Sequence, residues 1–181
     1  MKKILLTFTL ILSLILITGC SMDNTPTKKT ERFLNNYRNL DETVTTQMNE
    51  VISQDALLSD NQRTIYKDVI RKQYQDLTYT IKDETIDGND ATVNVEIEVY
   101  DLYKANKDSE VYYTTNNDEF LDEHGNLSDT KVIDYRINSL KDTRERVKYN
   151  IDFKLKKVDN VWIMQDIDEI TRQKIHGLFA Y

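Results

Sequence analysis

The chain holds two histidines, one cysteine, eleven tyrosines and 31 carboxylates, and any chemistry it performs has to be built from these. His124 and His176 are too few for a zinc site without carboxylate help, and they stand neither at i, i+4 nor inside HExxH. His124 falls in the polar run Glu123-His124-Gly125-Asn126 and reads as part of a solvated turn. His176 follows Lys174 and precedes Gly177, so it reads as a residue at the negative end of a helix. No serine sits in GxSxG, and the four glycines are scattered, which removes the loop that would cradle a phosphate. The segment Asp83-x-Thr85-x-Asp87-Gly88 places oxygens as a calcium loop begins. Its twelfth position, however, is Asn94, where an EF-hand needs a bidentate glutamate, so a hairpin turn is expected. Asp118, Glu119, Asp122 and Glu123 read as a solvated acidic face. No catalytic residue, metal ligand or cofactor is assigned.

The aromatic residues are placed by parity. Tyr37, Tyr66, Tyr74, Tyr79 and Tyr149 all fall on apolar stripes, so each is expected to pack its ring inward with the hydroxyl at a rim. Where inward faces converge on a pocket, the same residues would line it. Trp162 departs from the inward parity assigned to Val161 and Ile163. Packing under the C-terminal helix is the favoured reading, and exposure on the outer sheet face as a partner surface is the other.

The single cysteine has a more specific context. Lys2 and Lys3 precede an apolar stretch from Ile4 to Ile17, about 14 residues, which is short of the roughly 20 that a membrane-spanning helix needs. Ile17-Thr18-Gly19-Cys20 then resembles the bacterial lipobox, with isoleucine where leucine is commoner. The resemblance implies that a signal peptidase recognises Ile17, Thr18 and Gly19, cuts before Cys20, and leaves Cys20 as a diacylglycerol-bearing, further palmitoylated N-terminus. Two acyl chains, at about 0.8 kcal/mol per buried CH₂, anchor a protein without basic residues. That matters here, because the net charge is -7 and loss of Lys2 and Lys3 takes it to -9. Such a chain has no electrostatic basis for gripping nucleic acid.

Three segments are therefore expected: a signal peptide over 1–19, a lipidated tether over 20–29, and one domain over 30–181. Within the domain, Phe33, Leu34, Tyr37 and Leu40 recur at helical spacing, and Val44, Met48, Val51 and Ile52 continue the stripe after Asp41. Ser59-Asp60-Asn61-Gln62 matches a capping box ahead of a helix to about residue 76. Periodicity then becomes twofold over Leu77–Ile81, Ala91–Val99 and Val147–Leu155, with turns at Asp87–Asp90 and Asp159-Asn160, giving two antiparallel hairpins. Residues 101–146 read as mostly helix with a polar break, and Asp168 as the cap of a short final helix carrying Ile170, Ile175 and Leu178.

Helices, hairpin, helical crossover, hairpin is an α+β order. Together with the ending Val161-Trp162-Ile163-Met164-Gln165-Asp166 to Lys174-Ile175-His176-Gly177, it resembles small Gram-positive lipoproteins with an NTF2-like domain. The resemblance implies a cone, with N-terminal helices packed on a curved antiparallel sheet and a pocket at the wide end. The function expected from these readings is a membrane-anchored extracytoplasmic module that binds a small ligand or another envelope protein without catalysis. An enzyme using a carboxylate and tyrosine pair in the cone, or a structural envelope protein, are the alternatives.

Overall fold

A computed structural model describes residues 23–181. The signal peptide, Ile17, Thr18, Gly19 and Cys20 lie outside the described residues. Six α-helices and four strands follow one another as α1 (Pro26–Arg38), α2 (Glu42–Gln54), α3 (Asp60–Gln75), β1 (Thr78–Asp87), β2 (Asp90–Tyr100), α4 (Leu102–Thr115), α5 (Asp129–Asp142), β3 (Arg146–Val158), β4 (Val161–Met164) and α6 (Glu169–His176), with a short 3₁₀ turn at Asn117–Phe120. The architecture is α+β, with one antiparallel sheet in the order β1-β2-β3-β4.

Local chemistry sets the helix boundaries. The first helix starts four residues before the expected domain boundary at residue 30: the Thr25 side chain accepts from the Lys28 N–H, and Pro26 occupies the first turn, where its missing N–H costs nothing. Residues 26–29, expected in the tether, are thus helical, and Pro26 and Thr30 are buried. Leu40 takes a positive φ of 52°, which breaks the stripe into two helices, and Asp41 caps α2 by accepting from Thr43 N–H. The Ser59/Gln62 capping box forms in both directions. Asp101, Ser128 and Asp168 cap α4, α5 and α6 by accepting from the Lys104, Lys131 and Thr171 N–H groups.

The two hairpins form as the twofold pattern requires. Asp87 pairs with Asp90 around Gly88, whose φ of 60° suits the tight turn. Asp159 and Asn160, at φ of 49° and 63°, make the two-residue turn between β3 and β4. On β2 and β3, Val93, Val95, Ile97, Val99, Ile151, Phe153 and Leu155 all point to one face, where α1, α3 and α6 cover them. The opposite face is wet and charged, carrying Lys82, Glu96 and Lys148 as a cross-strand ion cluster. Helices α4 and α5 pair with each other and attach through α3 rather than through the sheet.

Trp162 corrects the parity assigned to β4. It is buried at 5% exposure, whereas Val161 and Ile163 are exposed. The register explains this: Trp162 stands opposite Lys157, which shares the inward parity of Phe153 and Leu155. The ring lies on the face covered by α1, and its backbone N–H donates to the Asn24 side chain. Trp162 is therefore not an exposed aromatic, and the helix packed against its strand is α1. Ile170, expected on the buried stripe of α6, is exposed at 53%.

Candidate functional site

Helices α1, α2, α3 and α6 do not close completely over one another and leave a cavity of about 400 Å³. Its wall is mostly apolar, with Val44, Met48 and Ile52 from α2 and Ile70 from α3. Tyr37, Tyr66 and Tyr74 add three aromatic rings, while Gln47, Glu50, Arg172 and His176 bring polar groups. Val51 also lines it yet is 71% exposed, which marks where the cavity meets solvent. Apolar walls with a few convergent polar groups, at this size, are what small-molecule sites have in common.

The rings are held in fixed relation. Tyr37 and Tyr74 meet edge to face with centroids 5.0 Å apart, and Tyr74 meets His176 at 5.7 Å. The Tyr74 hydroxyl lies 3.0 Å from His176 Nε2. Burial pushes the Tyr74 hydroxyl well above the ordinary tyrosine range and pushes the His176 imidazole below its own. At neutral pH the pair is a protonated phenol against an uncharged imidazole. Burial also raises Tyr37 and Tyr66, with Arg172 and Arg136 respectively opposing it. Among the described residues the Tyr37 and Tyr66 hydroxyls take no hydrogen bond, while the Tyr74 hydroxyl is occupied by His176. The cavity thus offers two free hydroxyls, with the guanidinium of Arg172 on the same wall.

The other residues singled out from the sequence lie apart. His124 is exposed in a turn that Asp122 organises by accepting from the His124 and Asn126 N–H groups. Those bonds hold the Asp122 carboxyl below the usual range. Glu119 of the same acidic run accepts from the Tyr112 hydroxyl. Asp83 and Asp87 are drawn out along β1, where four residues span about 13 Å, too far to converge on one cation. Tyr79 bonds Asn35, and Tyr149, raised to about 12 by burial, bonds the Phe179 carbonyl.

Carboxylate–tyrosine pairs exist outside the cavity. Asp101 accepts from the Tyr181 hydroxyl at 2.5 Å, but its other oxygen caps α4. Asp76 accepts from Tyr100 and Lys72 together, which lowers its pKa, and Tyr100 lies beneath the Lys72 and Arg146 cations. These arrangements join α3, β2, β3 and α4. Among the described residues, no carboxylate bonds a tyrosine of the cavity.

The sequence placed Tyr37, Tyr66 and Tyr74 on apolar stripes but gave no sign that His176 meets Tyr74, because the two lie 102 residues apart. Likewise, no helix among the described residues is long and apolar enough to cross a membrane.

No protein-family model matches the chain, and no curated protein matches it. Among solved structures the chain is similar to the crystal structure of a "putative lipoprotein (ycdA)" from Bacillus subtilis, at 13% identity and a TM-score of 0.47. That match covers 78% of this chain and 47% of the other, so the chain spans about half the length of the structure it matches.

Proposed function

We propose that this chain is an envelope lipoprotein, held on the extracytoplasmic face of the cell membrane by an acylated Cys20. Its NTF2-like domain binds a small, mainly apolar, ring-bearing molecule without transforming it. The anchor rests on the order of Lys2-Lys3, the apolar run and Ile17-Thr18-Gly19-Cys20. Helices over one face of a four-stranded antiparallel sheet are in keeping with the NTF2-like reading.

One observation carries the binding role: an apolar cavity of about 400 Å³ that presents two tyrosine hydroxyls without intramolecular partners among the described residues. An aromatic ligand would stack on Tyr37 and Tyr66 and accept from their hydroxyls, and an anionic substituent would sit against Arg172. Binding is favoured over catalysis because the Tyr74 hydroxyl is partnered by a neutral imidazole and no acid is poised beside it. Anilinonaphthalene sulfonate, a ringed anion, is a suitable first probe. Saturable fluorescence with the folded protein, weakened at least tenfold by Arg172→Ala together with Tyr37→Phe, supports the reading. Equal binding by that variant contradicts it.

A further inference from the structure

We infer that the cavity faces away from the bilayer to which Cys20 is tied, so that its ligand arrives from the aqueous side and not from that bilayer. The inference rests on the lipoprotein reading and adds to it an orientation, which follows from where Asn24 is fastened to the sheet. Asn24 is fastened to the turn between β3 and β4: its amide donates to the Asn160 carbonyl at 2.8 Å and its oxygen accepts from the Trp162 N–H at 3.0 Å. Three residues on, Thr27 bonds the Glu84 carboxylate through both its N–H and its hydroxyl. The turn between β1 and β2 lies at this same end, since the Lys157 N–H donates to the Asn89 carbonyl. One end of the sheet, carrying both hairpin turns, is therefore where the chain enters the domain.

Cys20 is four residues from Asn24, and four residues span at most about 14 Å whatever their conformation. An acylated Cys20 therefore holds Asn24, and with it the end of the sheet that carries the hairpin turns, near the lipid headgroups.

The cavity belongs to the opposite end. From Asp90 to Tyr100, β2 extends over ten residue steps, about 33 Å. At its far end the Tyr100 N–H and C=O bond the Gln73 side chain, next to Tyr74, and the Gly177 C=O accepts from Tyr103 N–H, next to His176. The Tyr74–His176 pair thus sits level with Tyr100, a sheet's length from Asn24. A body tethered at one end cannot turn its other end into a surface it cannot penetrate. Lying flat is the extreme of its allowed orientations, and a net charge of -9 beyond Lys3 gives an anionic bilayer nothing to draw the flank down.

The test uses the full-length, membrane-processed protein in vesicles of phosphatidylcholine and phosphatidylglycerol carrying a rhodamine headgroup. Cysteines introduced by Val51→Cys at the cavity or Asn89→Cys at the turn are labelled with fluorescein maleimide. Both positions are exposed, and Cys20 is otherwise the chain's one thiol. Label on the unsubstituted protein, or its failure to stay with the vesicles, defeats the lipoprotein reading itself. With an unreactive Cys20 and retained protein, energy transfer several-fold stronger from position 89 than from position 51 is expected. Equal transfer, or stronger transfer from position 51, overturns the orientation while leaving the anchor intact.

Discussion

The Tyr74 hydroxyl and His176 Nε2, 3.0 Å apart, tie α3 to α6 at the inner wall of the cavity. Neither residue is charged at neutral pH, because burial holds the tyrosine proton on and keeps an additional proton off the imidazole. The contact behaves as a structural clasp whose strength depends on His176 staying neutral.

That dependence has a sign. The native pKa of His176 lies below its ordinary value of 6.5, so the unfolded chain binds the proton more readily than the native one. Stability is full above pH 6.5, falls as pH drops from there through the native pKa, and levels off below it. Asp76, Asp122 and Asp168, all held below the ordinary 3.8, lose their contributions only in more acidic solution. The melting temperature is expected to decline between pH 7 and pH 5 in the parent protein, and His176→Gln is expected to flatten that decline. An equal slope in the variant would place the titrating group elsewhere.

Gly177 ends α6 at a φ of 70°, and a Cβ there would overlap the Tyr100 carbonyl and the Gln73 amide. Gly88 shares the positive φ but has open space around it. Denaturant unfolding is expected to show Gly177→Ala costing more than about 2 kcal/mol, through strain and displacement of the α3–β2 bonds. Gly88→Ala should cost only about 1 kcal/mol. Similar losses at the two sites would show that the close approach at Tyr100 does not constrain the fold.

Trp162 is the chain's one tryptophan and reports on the α1–β4 contact. Its emission should be blue-shifted and poorly quenched by acrylamide in the native state. Trp162→Ala is expected to cost about 3–5 kcal/mol. Asn24→Ala, which frees the Trp162 N–H at the sheet edge, should cost about 1 kcal/mol. Ready quenching would place the ring in water.

Cys20→Ala should leave an uncleaved precursor or release the protein from the membrane, and should abolish incorporation of labelled palmitate. A correctly cleaved product that stays on the membrane without label would refute lipid anchoring.

Much of the fold was readable because each element was locally consistent. The β2 and β3 patterns alternate strictly, and Ser59 and Asp168 cap where their sequences suggest. The inward face of β4 is not legible from its own sequence, because four residues are too few to reveal it. The two-residue turn at Asp159-Asn160 carried the missing signal, since it sets Trp162 opposite Lys157 and so on the Leu155 face. The helix start at Pro26 was legible in Thr25-Pro26 but was masked by the polar composition around it. The cavity was not legible: Val51 and Ile52 follow the same helical stripe, and only packing leaves one in solvent and the other buried.

The claim that the cavity is a binding site is tested most directly by methyl-resolved NMR of the folded protein titrated with indole. Val44, Met48, Ile52 and Ile70 methyls should shift saturably while those of Val93 and Val95, in the sheet core, stay fixed, and Ile70→Trp should remove the response. No saturable shift at those four positions, or an unchanged response in the filled-cavity variant, would contradict it.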